Sequence, residues 1–599
     1  MSPLDVDIPV DRGTTQEAPS YVRGLRSRLA EPKVLIFAAL LLLLLWLVVA
    51  PVGVLIWGSV SSVRPGDDDF FSIGALTLDN FSRAFDSELL AVLANTATFA
   101  IGTTVLAFLI GTYLAWAVER TNTPFKRIIT IMVLARLIIP GILTTISWIF
   151  LASPRIGMIN SWAESLFGVN EPVVDVFTLP GMIFVEALDV FPVSFLLMSA
   201  ALRSMDPSLE EASLVAGRGT FSTTLRVTLP LIMPAILATL IYMVIRGVET
   251  FETPTLIGLP ADVPTFVVEI WKRTSTIPAD LGLAAVYAVL VLALAVVLVW
   301  GYNRATRNSR AYQVVSGKAF LPRRTDLGRM RWVSAGFAGF LLFLSIVLPL
   351  IVLIWASVQP PFRGVQPLTP AALVDFENLS VQNYRDAFSS ELTRRAVWNS
   401  AVLAVSAATI ITGLMAVTAW VTVKTRIRGR QLLDQLAFAP VAVPAIMFGL
   451  AVLWMYLSVP IPVYGSLWIL LILYVARFTP VPFRTLSSST TQISDELQEA
   501  AEVSGASWWR SFRTIMLPLL RPGLLAAWVF VLVHSFRELG ASVLVVSFGT
   551  EVVGVAIFDL WENGSFGLLS AFGITILTGL IIASLVASWV SSKFGVKDQ

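Results

Sequence analysis

This sequence predicts an all-α integral membrane protein: about twelve spanning helices arranged as two parallel six-helix halves. Three observations predict it. Of 599 residues, 56% are hydrophobic and 14% charged, well short of the ~25% charged residues of a soluble domain. Apolar runs long enough to cross a bilayer recur along the whole chain. The order of runs, prolines and asparagines in the first half also returns in the second. A formal net charge of +2 gives no sign of a nucleic-acid partner. The chain has no cysteine and one histidine, His534. That excludes disulfides, thiolate and iron–sulfur sites, cysteine nucleophiles and multi-histidine metal sites within this chain.

A spanning helix needs roughly 20 mostly apolar residues. Such runs fall near 34–58, 93–117, 128–152, 178–200, 230–248 and 281–302. A second set falls near 333–357, 397–422, 435–457, 466–484, 518–536 and 568–590. The first run follows Arg23, Arg26, Arg28 and Lys33 and exceeds the ~7–15 residues of a signal-peptide core, so it reads as a retained span. Basic loops set the orientation. The connection after the sixth run holds Arg304, Arg307, Arg310, Lys318, Arg323, Arg324, Arg329 and Arg331 against one acid, Asp326. The loop after the eighth holds Lys424, Arg426, Arg428 and Arg430, whereas opposite loops carry Glu164, Glu171 and Asp175, or Glu551, Asp559 and Glu562. Lys and Arg mark the cytoplasmic side, which places both termini there.

The halves repeat each other residue by residue. Pro51–Ile56–Trp57–Ser59 returns as Pro349–Ile354–Trp355–Ser357, Asn80–Phe85 as Asn383–Phe388, and Asn95–Thr96 as Asn399–Ser400. An even number of spans per half restores orientation, so the repeat is parallel, about an axis along the membrane normal. The chain then divides into a tail (1–33), a first half (34–302), a basic cytoplasmic linker (303–332), a second half (333–590) and a final tail (591–599). Residues 1–20 lack apolar periodicity and read as disordered.

The most specific feature lies before spans five and eleven. Glu211-Ala212-Ser213-Leu214-Val215-Ala216-Gly217 is followed, after nine intervening residues, by Val227-Thr228-Leu229-Pro230. At identical spacing, Glu499-Ala500-Ala501-Glu502-Val503-Ser504-Gly505 leads to Ile515-Met516-Leu517-Pro518. This reads as two short helices joined at a glycine that permits a turn a β-carbon resists. The proline fits the first turn of the next helix. Small residues beside the glutamate allow close approach, and Phe221 and Trp508–Trp509 supply aromatics of the kind enriched in interface cores.

The pattern resembles the signature of the permeases of type I binding-protein-dependent ABC importers, and two copies in one chain resemble the fused permeases of ferric-iron and thiamine importers. The stretch Glu249–Gly258 resembles the ferric-iron type most. The resemblance implies a bacterial inner-membrane permease whose two loops are coupling helices. Glu211, Ala212, Gly217, Phe221 and Pro230, with Glu499, Ala500, Gly505, Trp509 and Pro518, would then meet two cytoplasmic ATPases. It also implies a soluble or lipid-anchored substrate-binding protein as partner and no cofactor. Ser213 and Val227 depart from the usual alanine and isoleucine, which suggests that the two docking surfaces are not equivalent.

Ionisable residues inside spans are functional candidates because lipid burial costs several kcal/mol. Arg246 and His534 each lie 16 residues past Pro230 and Pro518, about 24 Å along a helix. Glu249, Arg537 and Glu538 follow just beyond. They read as an outer gate between halves, or as snorkelling side chains and a local Arg246–Glu249 pair. Span four holds Glu186 and Asp189 and span ten Arg477, of which Asp189 and Arg477 align, with Arg136 a further buried candidate. Opposite signs there suit internal ion pairs, and carboxylates also suit a hard cation in passage. Ser316-Gly317-Lys318-Ala319 lacks the glycine and hydroxyl residue of a phosphate-binding loop, so the chain reads as no enzyme and hydrolysis falls to partners. The expected cargo is ferric iron or its chelate, with thiamine, a phosphonate or a polyamine as alternatives. The competing class is an ion-coupled secondary carrier, which has no partner requiring the two loops. A reporter-fusion topology map should place residue 1, the 303–332 linker and residue 599 on one side; termini on opposite sides would overturn the parallel repeat.

Overall fold

The computed structural model describes residues 32–306, 325–360 and 379–593, apart from positions 86, 170 and 206. The N-terminal tail, most of the basic linker, the last residues and the Phe221 side chain lie outside the described residues. Those described are helical, with isolated bridges in place of strands.

The first half comprises α1 (Lys33–Ser59), α2 (Glu88–Glu119), α3 (Lys126–Arg136), α4 (Gly141–Ala152), α5 (Leu179–Arg203), the short α6 (Pro207–Val215), α7 (Leu225–Glu249) and α8 (Leu281–Tyr302). The second comprises α9 (Met330–Ser357), α10 (Glu391–Lys424), α11 (Arg430–Ala442), α12 (Ala445–Ser458), α13 (Leu467–Arg477), α14 (Pro480–Thr491), the short α15 (Asp495–Val503), α16 (Trp508–Leu519), α17 (Arg521–Arg537) and α18 (Phe566–Lys593). Among the described residues, 8 single helices are long and apolar enough to cross a membrane, and up to 12 spans result if each bent pair counts as one.

Four of the runs read as spans are therefore broken. The bends are 100° at α3/α4, 111° at α11/α12, 47° at α13/α14 and 75° at α16/α17. Proline explains the first two: Pro140 and Pro444 sit at the breaks in an extended conformation, ψ 135° and 147°. The ring removes a donor and disfavours helix in the residue before it. Pro480 and Pro522 open the helices after the other two breaks, α14 and α17, whereas several further prolines follow a widened helical turn. One wide turn precedes Pro51 (Leu45–Val49) and one precedes Pro349 (Phe343–Val347). Pro230 and Pro518 are served in the same way by Thr224–Thr228 and Phe512–Met516. An i→i+5 turn relieves the clash between the ring and the carbonyl four residues back.

The repeated asparagines are structural. Asn80 donates to the Ser59 and Ser61 carbonyls, at 3.3 and 2.9 Å, and Asn383 to those of Ser357 and Gln359, at 3.0 and 2.6 Å. Each amide rests against a glycine: a β-carbon on Gly282 or Gly567 would lie 2.5 or 2.6 Å from it. The halves also interlock, with α1 packed on α12 and α9 on α4. Trp46 donates to Tyr456 at 3.1 Å across that junction, and Tyr113 to the Ser334 carbonyl at 2.8 Å.

The pair α2 and α5 approaches closest at Gly111, where a β-carbon would lie 2.6 Å from the Phe191 carbonyl oxygen. Gly111→Val should lower stability in detergent by about 1–3 kcal/mol, the usual cost of overpacking. Gly413→Val, where a β-carbon meets nothing within 4 Å, should change it by less than about 0.5 kcal/mol. Denaturant titration of the two variants checks this.

Candidate functional site

Charged residues scattered over separate spans converge where the ends of α7, α13 and α17 meet. A cavity of about 130 Å³ there is lined by Arg246, Glu249, Glu252, Arg477, His534, Arg537 and Glu538. The helix breaks explain the charge. A bend at membrane depth frees carbonyls that lipid cannot satisfy. The Arg136 side chain, wholly buried, donates to the Ile139 and Leu188 carbonyls, both at 3.2 Å, and to Thr144 Oγ1 at 2.9 Å. Arg537 reaches across from the second half to the Leu137 carbonyl. At the other proline break, Arg477 donates to the Val443 carbonyl at 3.4 Å.

Buried guanidinium groups then require carboxylates. Arg136 pairs with Asp189. Arg477 bridges Glu249 of the first half at 2.6 Å and Glu538 of its own half at 3.3 Å. Glu249 also accepts from Arg246 at 3.0 Å. Glu186 accepts from Thr250 and Thr253 at 3.0 and 2.7 Å, which fixes the turn after α7. The His534 ring stacks on Phe530 with centroids 3.8 Å apart, and its Nδ1 lies 2.9 Å from the Phe530 carbonyl.

Matching the halves by sequence pairs Asp189 with Arg477 and Arg246 with His534, but neither couple bonds. Ion pairs form instead between non-equivalent positions: Arg136 with Asp189, and Arg477 with Glu249 and Glu538. Glu252, inside the quoted Glu249–Gly258 stretch, was not singled out from sequence; its place three residues past Glu249 in an apolar stretch was the available signal.

The second constellation lies at the opposite ends of α2 and α10. Helices α6 and α15 both end in a Schellman motif. The N–H of Arg218 bonds the Ser213 carbonyl at 3.2 Å and that of Ala506 the Ala501 carbonyl at 3.0 Å. Gly217 and Gly505 supply the left-handed residue, φ 82° and 76°. Glu211, Ala212, Glu499 and Ala500 are exposed. Trp509 is exposed too, whereas Trp508 is buried and stacks on Trp420, centroids 3.7 Å apart. Ser213 bonds Thr223 at 3.0 Å, while in the second copy Ala501 leaves the Ser511 hydroxyl buried without a partner. A tether that sequence reading missed joins each short helix to its half. Arg120 pairs with Glu210 at 2.9 Å, and Glu210 accepts from Thr228 at 2.6 Å. In the second half Lys424 pairs with Asp495, and this contact holds the Asp495 carboxyl below its ordinary pKa. Neither tether has a recognisable spacing along the chain.

A family model described as the binding-protein-dependent transport system inner membrane component matches residues 107–310 and again 409–595. The chain is 24% identical over 441 residues to the ferric transport system permease protein FbpB of Actinobacillus pleuropneumoniae, covering 73% of this chain and 62% of that relative's length. It is 22% identical over 516 residues to the Fe(3+)-transport system permease protein FbpB 2 of Haemophilus influenzae, covering 86% and 92%. The sulfate transport system permease protein CysT of Escherichia coli is 30% identical over 217 residues, covering 33% of this chain and 77% of its own.

Removing Arg477 would leave Glu538 without an ion pair, leave Glu249 to Arg246 alone, and free the Val443 carbonyl. Arg477→Met should therefore lower stability by about 3–5 kcal/mol. Arg246→Met, whose parent side chain is 45% exposed, should lose less than about 1 kcal/mol. Equal losses in denaturant unfolding would contradict this ordering.

Proposed function

We propose, from the premise that this chain belongs to the binding-protein-dependent transport system inner membrane component family, that it is the permease of an ATP-driven importer. The observation that carries this reading is the pair α6 and α15, two exposed helices with the same C-cap at corresponding places in the repeat. A cytoplasmic ATPase docks on each, contacting Glu211, Ala212 and Phe221 on one side and Glu499, Ala500 and Trp509 on the other. The basic loops support a cytoplasmic location for these helices and both termini. A substrate-binding protein delivers the solute to the opposite face. ATP is hydrolysed by the partners, and this chain supplies the path.

The cargo is ferric iron or its chelate. Two relatives named for ferric-iron transport match 73% and 86% of this chain, which supports this choice over phosphonate or sulfate. The cavity of about 130 Å³ is smaller than the ~300–1,000 Å³ of ordinary ligand pockets. That supports a closed gate at Glu249–Arg477–Glu538 rather than a resting substrate site. Opening the path requires this bridge between halves to exchange partners. Nucleotide biases the exchange only through contacts that differ between the closed and open states. The helices α7 and α16/α17 run from the docking helices to the gate and carry that difference.

Reconstitution in liposomes tests the reading. With ATPase and binding protein present, uptake of labelled ferric iron should follow ATP. Uptake by the chain alone on a proton or sodium gradient, indifferent to ATP, would make it a secondary carrier. Gly505→Val forces a β-branched residue into the left-handed region, a strain of about 1–2 kcal/mol or more. It should insert normally yet lose ATPase co-purification and uptake. Unchanged co-purification would remove α15 as a docking helix.

A further inference from the structure

The first half closes its lipid-facing seam with leucines. Leu294 and Leu298 of α8, 12 and 16 residues past Gly282, are partly buried against the core. At the same distances past Gly567 the second half has Gly579 and Ala583. A β-carbon on Gly579 would meet nothing within 4 Å. Accordingly α7 and α8 pack along their lengths while α17 and α18 meet only briefly. The space between α10, α17 and α18 is an apolar groove of about 540 Å³. Its wall on α18 runs from Phe572 to Ala583, ~16 Å along the helix axis. Such a groove is long, narrow and parallel to the spans.

The mouth of the groove differs from the first half in the same direction. Five residues before Asn95 stands Leu90, and five before Asn399 stands Arg394. Arg394 is exposed, borders the groove, and forms no ion pair among the described residues. It lies 30 residues from Lys424 at the far end of α10, ~45 Å by helical rise. That exceeds the ~30 Å hydrocarbon core, so Arg394 stands at headgroup level on the face opposite α6 and α15. Trp398, one turn deeper and 70% exposed, suits the aromatic belt of that interface.

We propose that this groove is a phospholipid site: one acyl chain fills the space that Gly579 and Ala583 leave, and the lipid phosphate sits on Arg394. Leu294 and Leu298 stand where the second half has Gly579 and Ala583, and Leu90 where it has Arg394, so the space and the cation change together between the halves. A guanidinium is suited to bind a phosphate through paired N–H bonds. Bilayer lipid is the medium that this face meets.

The full chain, purified in detergent, is titrated with phosphatidylglycerol and with a diacylglycerol bearing the same chains but no phosphate, and bound lipid is counted by native mass spectrometry. Gly579→Leu with Ala583→Leu, the residues found in the first half, should abolish one tightly held copy of either lipid. Arg394→Leu should weaken phosphatidylglycerol about fivefold, the usual effect of one interfacial cation, and leave diacylglycerol unchanged. The filled variant must elute as the parent does; if it does not, Arg394→Leu alone decides. Lipid binding unchanged in the well-behaved filled variant would overturn the site, as it would if another segment of this chain occupies the groove. Equal effects of Arg394→Leu on both lipids would overturn the phosphate contact.

Discussion

The carbonyl groups freed where helices break inside the bilayer are the constraint on which the rest of this structure depends. Lipid offers them no donor. Arg136 and Arg537 serve the α3/α4 break, and Arg477 serves the α11/α12 break. Arg136 is neutralised by Asp189 and Arg477 by Glu249 and Glu538, which draws these carboxylates to the same depth, whereas Arg537 forms no ion pair among the described residues. The charged chamber is the consequence. Its partners come from both halves, so the chamber is also a clasp between them. The charged contacts between the halves are thereby gathered in one chamber.

The repeat is strict in its framework and loose in its function. Paired asparagines, glycines that receive them, and wide turns before prolines recur in both halves because each solves a backbone problem that recurs. The two short helices differ in how they are held. α6 is tethered by a largely buried Arg120–Glu210 pair, α15 by Lys424 and an Asp495 that is 77% exposed. One is closed by a Ser213–Thr223 bond, the other braced by Trp508 on Trp420. The rods leading inward differ too: α7 is continuous, whereas α16 and α17 meet at 75°. From α6 one continuous helix of 25 residues leads to the chamber, whereas from α15 the way passes a bend, so the two halves differ mechanically.

Much of this was legible in the sequence. Membrane class, span order, parallel repeat and the two glycine-capped loops follow from local chemistry: apolar length, proline and glycine geometry, and a spacing kept twice. Gly217 and Gly505 take up the positive φ that their position after a short helix demands. The candidates Arg246, Glu249, Arg477, His534, Arg537 and Glu538 also fall in one place, because a charge inside an apolar run has few tolerable destinations. Tertiary structure alone decided the partners. Asp189 bonds Arg136 and not its counterpart Arg477, Glu210 meets Arg120 from 90 residues away, and Glu249 meets Arg477 across the halves. The same holds for the breaks themselves: Pro51 and Pro140 look alike along the chain, yet one is absorbed by a wide turn and the other bends its span by 100°. Sequence fixes which groups cannot be left alone in lipid, but which neighbour answers each depends on where distant helix ends meet, and only the folded packing sets that.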